Sequence, residues 1–121
     1  MTGRDLRESM IKAGMVPKQF APWLGISVPT LSRLIHSHGQ IPKRYWVALR
    51  YLHSHGDSEP ILSAHEVLAM WRGPRWRLAE AIGMTDQQLG RMLAGRYAIT
   101  KPVSLAIRQA VLDYQGEKEA A

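Results

Sequence analysis

Histidines are the side chains of this sequence that come nearest to a catalytic or metal-binding pattern. The pairs are His36-x-His38 and His53-x-His55, and His65 precedes Glu66. Neither pair has the further organised ligands that zinc usually requires, and the chain has no cysteine. A second histidine for HExxH, a Gly-rich Lys-Ser/Thr loop and a Ser/His/Asp grouping are missing as well. The sequence therefore predicts no metal site, no cofactor and no enzymatic activity.

Lysine and arginine supply most of the remaining chemistry. Sixteen Lys and Arg against ten Asp and Glu leave a net charge of +6 on 121 residues, which favours a polyanion such as nucleic acid as the partner. The longest apolar runs are five residues, far shorter than the roughly 20 that cross a bilayer. The first ten residues mix both charges and do not resemble a secretory signal. We therefore expect a cytoplasmic, nucleoid-associated protein that does not contact membranes.

The same short pattern occurs twice in the chain, at a constant offset of 58 residues. Nine of the 48 positions from 5 to 52 are identical to their counterparts, and the central pairs are Ala21/Ala79, Gly25/Gly83, Leu31/Leu89 and Arg33/Arg91. A repeat at a fixed period implies one supersecondary unit written twice. We assign residues 1–54 to a first unit and 62–115 to a second, with a linker over 55–61 and a flexible tail over 116–121.

Helix signals divide each unit into four short helices, so the sequence predicts an all-α protein of two tandem small helical bundles. In the first unit the predicted helices are 4–13, 17–24, 28–36 and a fourth from Ile41-Pro42 to about Leu52. Gly25 ends the second helix and Ser27 caps the third. In the second unit Ser63-x-x-Glu66 forms a capping box, Gly83 turns, Thr85 caps, and Thr100 starts the last helix.

The centre of each unit resembles the helix-turn-helix of the Cro and phage-repressor family, the XRE-like regulators. The matching segments are FAPWLGISVPTLSRLIHSHGQIP in the first unit and LAEAIGMTDQQLGRMLAGRYAIT in the second. Such a turn needs a small residue where the backbones approach, a left-handed glycine and buried apolar residues beyond it. The resemblance implies that the third helix of each unit lies in the major groove of double-stranded DNA, with its first residues reaching base edges.

Carried over position by position, the resemblance implies two sets of DNA-binding residues. The base-reading set is Ser27, Val28, Pro29, Thr30, Ser32 and Arg33 in the first unit, and Thr85, Asp86, Gln87, Gln88 and Arg91 in the second. The phosphate-binding set is Lys18, His36 (with His38 beside it), Lys43, Arg44, Arg75, Arg77, Arg96 and Lys101. Because glutamine pairs with adenine and arginine with guanine, we expect the second unit to discriminate bases more sharply. Asp86 fits this face if it accepts from a cytosine amino group or caps its own helix.

These expectations describe a sequence-specific transcriptional regulator of bacterial, phage or mobile-element type, with one recognition helix per unit. Whether the chain forms a homodimer stays open. Two other classes of function stay open. Pro22 and Trp23 replace polar residues expected on the second helix, which favours an interaction protein, an antiactivator or co-regulator whose first unit binds the transcription machinery. The third class is an architectural or excision factor that bends DNA. Trp23, Trp46, Trp71 and Trp76 are predicted either to fill the core or to anchor a partner.

Overall fold

The computed structural model describes residues 2–36 and 41–120. This part of the chain is all-α, as predicted, and holds no strand. Its helices are α1 Gly3–Lys12, α2 Pro17–Leu24, α3 Val28–Ile35, α4 Lys43–His55, α5 Ala64–Met70, α6 Arg75–Ala81, α7 Asp86–Leu93 and α8 Lys101–Ala120. Their order repeats from α5 onward, at the places where the sequence predicted helices.

Hydroxyl side chains cap the N-termini of four helices. Thr2, Ser27, Ser63 and Thr85 each accept a hydrogen bond from the backbone N–H three residues on, at distances of 3.0–3.4 Å. Each of these contacts satisfies a donor that the first helical turn leaves without a partner. The predicted capping residues Ser27, Ser63 and Thr85 are thereby confirmed.

A glycine joins the two central helices of each unit. Gly25 has φ 78° and Gly83 has φ 71°. Residues with a Cβ adopt this left-handed backbone conformation only at a cost in free energy. In each unit the chain turns there and re-enters a helix within a few residues. The glycine turns predicted between α2 and α3 and between α6 and α7 are therefore present.

Two apolar clusters hold the helices together, and α4 contributes to both. The first cluster contains Leu6, Met10, Phe20, Ala21, Leu24, Leu31, Ile41, Tyr45 and Leu49. The second contains most buried residues of α5–α8 and also Val47, Ala48 and Tyr51 of α4. The packing of α4 on α8 is the most extensive between any two helices described. The last helix of the predicted first unit therefore belongs to both cores, and the division of the chain at residue 54 stays a prediction from the sequence.

The predicted linker is held in place by polar contacts from both units. Lys101 Nζ donates to the carbonyls of Asp57 and Glu59, and the Glu59 carboxylate accepts from Tyr51 and lies 2.8 Å from an Arg108 guanidinium nitrogen. The relative placement of the units is thus fixed by charged contacts as well as by the α4–α8 core.

The chain continues as helix where a flexible tail was predicted. Helix α8 runs to Ala120, and Glu117 pairs with Arg77, whose guanidinium lies 4.8 Å from the centre of the Tyr114 ring. The ion pair gives Glu117, which lies beyond the predicted end of the helix at residue 115, a partner on α6. Among the described residues, no helix is both long and apolar enough to cross a membrane.

Three of the four tryptophans fill the core, which is one of the two roles predicted for them. Trp23, Trp46 and Trp71 are partly buried against the apolar clusters, and Trp23 stacks on Phe20. Trp76, at the start of α6, is 57% exposed. Three of the four therefore serve the core, and one is presented to solvent.

Candidate nucleic-acid interface

Helix α7 presents its polar residues on one side and buries its apolar residues on the other. Leu89 and Met92 are buried in the second cluster. The predicted base-reading residues of this unit, Thr85, Asp86, Gln87, Gln88 and Arg91, are all exposed. The glycine turn and the α6–α7 packing hold the helix so that this polar side faces outward. The structure thus brings the five predicted positions together on one surface.

Gln87 and Arg91 are the members of this surface with the most freedom to bind a ligand. They lie four residues apart, so their side chains are neighbours on the helix. Arg91 forms no ion pair with any described residue. Gln88 is partly engaged, because its Oε1 accepts from the backbone N–H of Thr85 at 3.0 Å in a capping box. An amide and a guanidinium able to pair with base edges therefore stand side by side.

Asp86 binds within the protein, to Arg75 at the start of α6. The Arg75 Nε and Nη2 atoms lie 2.8 and 2.9 Å from the two carboxylate oxygens. The hydrogen bond from Arg75 lowers the pKa of Asp86, and the hydrogen bond to Asp86 raises the pKa of Arg75. This two-point contact fixes the start of α7 relative to α6. Asp86 lies in the first turn of α7 and pairs with Arg75 there, and its contact with a cytosine amino group stays a prediction.

The corresponding surface of α3 offers fewer groups for base recognition. The Ser27 and Thr30 hydroxyls are 2.9 Å apart, and Arg33 Nη2 donates to the Thr30 hydroxyl at 3.2 Å. Ser27 also caps the helix. Val28 is 41% exposed, and Pro29 follows it on the surface. The exposed positions at the start of α3 are therefore mainly apolar, whereas the corresponding positions of α7 carry amide and charged side chains.

The eight predicted phosphate-binding residues fall into two groups. Lys18, His36 and Arg96 are exposed. The others contact the protein: Arg75 with Asp86, Arg77 with Glu117, Lys43 Nζ with the Glu80 carbonyl at 3.1 Å, Lys101 with the linker carbonyls, and Arg44 over the Tyr45 ring. Of these residues, Lys101 is the one most engaged within the protein, because it is half-buried and donates to two backbone carbonyls. His38 lies outside the described residues.

One residue of this surface was not predicted from the sequence. Tyr97, in the loop after α7, donates its hydroxyl to the Gln88 carbonyl at 2.5 Å and is 43% exposed. It ties the loop that carries Arg96 to the first turn of α7. An aromatic residue directly after Gly95-Arg96 was the available signal, but only the fold shows that it reaches back to the helix.

Comparison with protein-family models, curated proteins and solved structures finds no match. Within residues 2–36 and 41–120, no three His, Asp or Glu side chains gather in a group that could hold a metal ion.

Proposed function

We propose that this chain is a sequence-specific transcriptional regulator that binds double-stranded DNA and reads the major groove with α7. The resemblance to the Cro and phage-repressor family suggests the docking mode. The observation that carries the proposal is the division of α7 into a buried apolar side and an exposed side with Gln87 and Arg91. A helix of this kind fits the major groove, where glutamine recognises adenine and arginine recognises guanine.

The contacts around α7 support the same proposal. The Arg75–Asp86 pair and the Tyr97–Gln88 hydrogen bond hold the first turn of α7 on the protein body. A helix that is already positioned loses less freedom when it binds DNA. Arg96 lies in the loop after α7, beside Tyr97, where it would contact the DNA backbone. The net charge of +6 favours the encounter with DNA.

Selection of binding sites from a random duplex library, followed by affinity measurements with variants, tests the proposal. Arg91→Ala is expected to cost about 1–3 kcal/mol on the selected site and little on random DNA, because the lost contact is to a base. Arg96→Ala is the matched control: its loss is expected to be similar on every duplex and to lower the dependence of affinity on salt. Equal losses of Arg91→Ala on selected and random DNA would exclude base reading by this residue.

A role in protein contacts is the second candidate function, and it is favoured by one observation on the first unit. The start of α3 exposes Val28 and Pro29 in the positions that correspond to Asp86 and Gln87 of α7. Apolar groups contribute little to base discrimination beyond contact with a thymine methyl.

A further inference from the structure

An apolar groove runs along α3 in the first unit. Its volume is about 440 Å³, and Met10, Pro17, Val28, Leu31 and Ile35 supply its apolar lining. Leu31 and Met10 are buried and form its floor, whereas Val28 stands at its edge. Arg7, Ser32 and His36 are the polar residues that complete it.

The matching place in the second unit is largely closed. There a cleft of about 110 Å³ is lined by Leu68, Arg75 and Leu93, the counterparts of Met10, Pro17 and Ile35, together with other residues. The Arg75 guanidinium lies against Gly90, where an added Cβ would come within 2.8 Å of Nη1, and pairs with Asp86. The long side chain and its ion pair thus occupy the space that stays open in the first unit.

Three substitutions between the repeats account for this difference. The first unit has Pro17 for Arg75, Val28 for Asp86 and Ser32 for Gly90. Pro17 cannot reach across to α3, Val28 offers no charge to hold a guanidinium, and a side chain at Ser32 stands where Arg75 would pass. The first unit therefore exposes apolar surface where the second unit forms an intramolecular ion pair.

The charges around the groove indicate what fills it. None of its lining residues is acidic, and residues 37–40, SHGQ, carry no carboxylate. The carboxylates nearest along the chain are engaged: Asp5 caps α1 with Thr2, and Glu8 pairs with Arg4 at 3.5 Å. Arg7 contributes a positive charge directly at the rim. A DNA backbone has no apolar surface for the floor, whereas an amphipathic helix with acidic flanks matches both the floor and the rim.

We propose that this groove binds an amphipathic helical segment of a separate protein, in which acidic residues flank the apolar ones. From Val28 to Ile35 the groove follows about two turns of α3, roughly 10 Å, so a short helix fills it. This inference is independent of DNA reading by α7, since the groove lies in the other unit.

Transfer of the ion pair from the second unit provides the test. In the triple variant Pro17→Arg, Val28→Asp, Ser32→Gly, each new residue is the one found at the matching place of the second unit, and the groove is expected to close. The probe is selected from displayed random peptides of about 15 residues, a length at which isolated helices begin to form. Selection uses the full-length wild-type chain alone, and the triple variant enters only in the later affinity measurements.

We expect the enriched peptides to carry apolar residues at helical spacing together with Asp or Glu. A fluorescently labelled peptide from this enriched set should bind the triple variant at least about tenfold more weakly than the wild type, as measured by fluorescence anisotropy. Ile61→Ser, which changes an exposed apolar residue outside the groove, is the matched control and should bind as the wild type does. Circular dichroism establishes that the variants are folded.

Arg7→Glu tests the charge argument without closing the groove. It should weaken the acidic peptide, and replacement of the peptide's acidic residues by lysine should restore binding to this variant and not to the wild type. The proposal is overturned if no peptide is enriched, if the enriched peptides are basic, or if they bind the triple variant equally well. It is also overturned if sedimentation shows a wild-type dimer that the triple variant lacks, since the occupant is then a second copy.

Discussion

Asp86 shows how a single residue changes role between the sequence and the fold. In the sequence it is an acidic residue at the start of a helix expected to face phosphates, which requires a special explanation. In the fold both of its oxygens accept from Arg75, eleven positions earlier in the chain. The pair engages one basic residue of the set proposed to bind DNA, and it positions α7, the helix proposed to read the bases.

The effect of this pair on stability is expected to depend on pH. Because the pKa of Asp86 is lowered from the usual 3.8 in the folded chain, its contribution to stability is complete above pH 3.8 and is lost as the pH falls through the lower folded value. Asp86→Asn should therefore lower the thermal midpoint at pH 5–7 and approach the wild type in more acidic solution.

The measurement is a series of thermal unfolding curves from pH 7 to pH 2.5, which spans the pH range in which carboxylates titrate. Gln87→Ala is the matched control, since it changes an uncharged, exposed neighbour on the same helix. A difference between wild type and Asp86→Asn that stays constant over the whole series would contradict the assignment.

At the scale of elements, the two glycine turns have the same backbone and different surroundings. A Cβ added at Gly25 would meet nothing within 4 Å, whereas one added at Gly83 would lie 2.7 Å from Lys43 Cβ. The turn between α6 and α7 therefore packs against the start of α4. Equivalent positions in the repeat are thus under different constraints, although the sequence gives both the same residue.

Substitution of each turn glycine by alanine should lower the free energy of unfolding by different amounts. Gly25→Ala is expected to cost about 1–2 kcal/mol, because it adds only left-handed backbone strain. Gly83→Ala should cost a further 1–3 kcal/mol, roughly, from crowding against Lys43. Urea unfolding of both variants measures the difference, and equal free energies of unfolding would show that the contact with α4 is unimportant.

At the scale of the whole molecule, the two units form one body through α4 and α8. Val47, Ala48 and Tyr51 lie in the first unit by sequence and in the second cluster by packing. The contacts of Glu59 with Tyr51 and Arg108 connect the same helices on the polar side. We therefore expect the halves to unfold together, as contiguous cores of this size generally do.

Ala48→Leu is the variant that tests this coupling. Ala48 is fully buried, so the larger side chain should cost about 1–3 kcal/mol. Hydrogen exchange should rise in α5–α8 as well as in α1–α3, because the strained contact belongs to the shared core. Ala69→Leu, the same change at an exposed site on α5, should have an effect within about 0.5 kcal/mol. Faster exchange confined to the first unit would contradict a single body.

The sequence by itself determined the local structure of this protein. Helix starts at Ser27, Ser63 and Thr85 and the turn at Gly83 follow from interactions within a few residues, which is why they were predictable. The exposed polar side of α7 was predictable for a similar reason, since the helical period alone places Gln87 opposite the core.

Only the tertiary structure decided which surfaces of the helices meet and which charges remain available. Helix α4 buries residues on two sides, and its own pattern does not say that one side packs on α8. Likewise, nothing within a few positions of Lys101 indicates that it donates to linker carbonyls more than forty residues earlier. These outcomes depend on contacts between distant segments, so the repeat predicted two similar bundles, whereas the packing produced one body with two different faces.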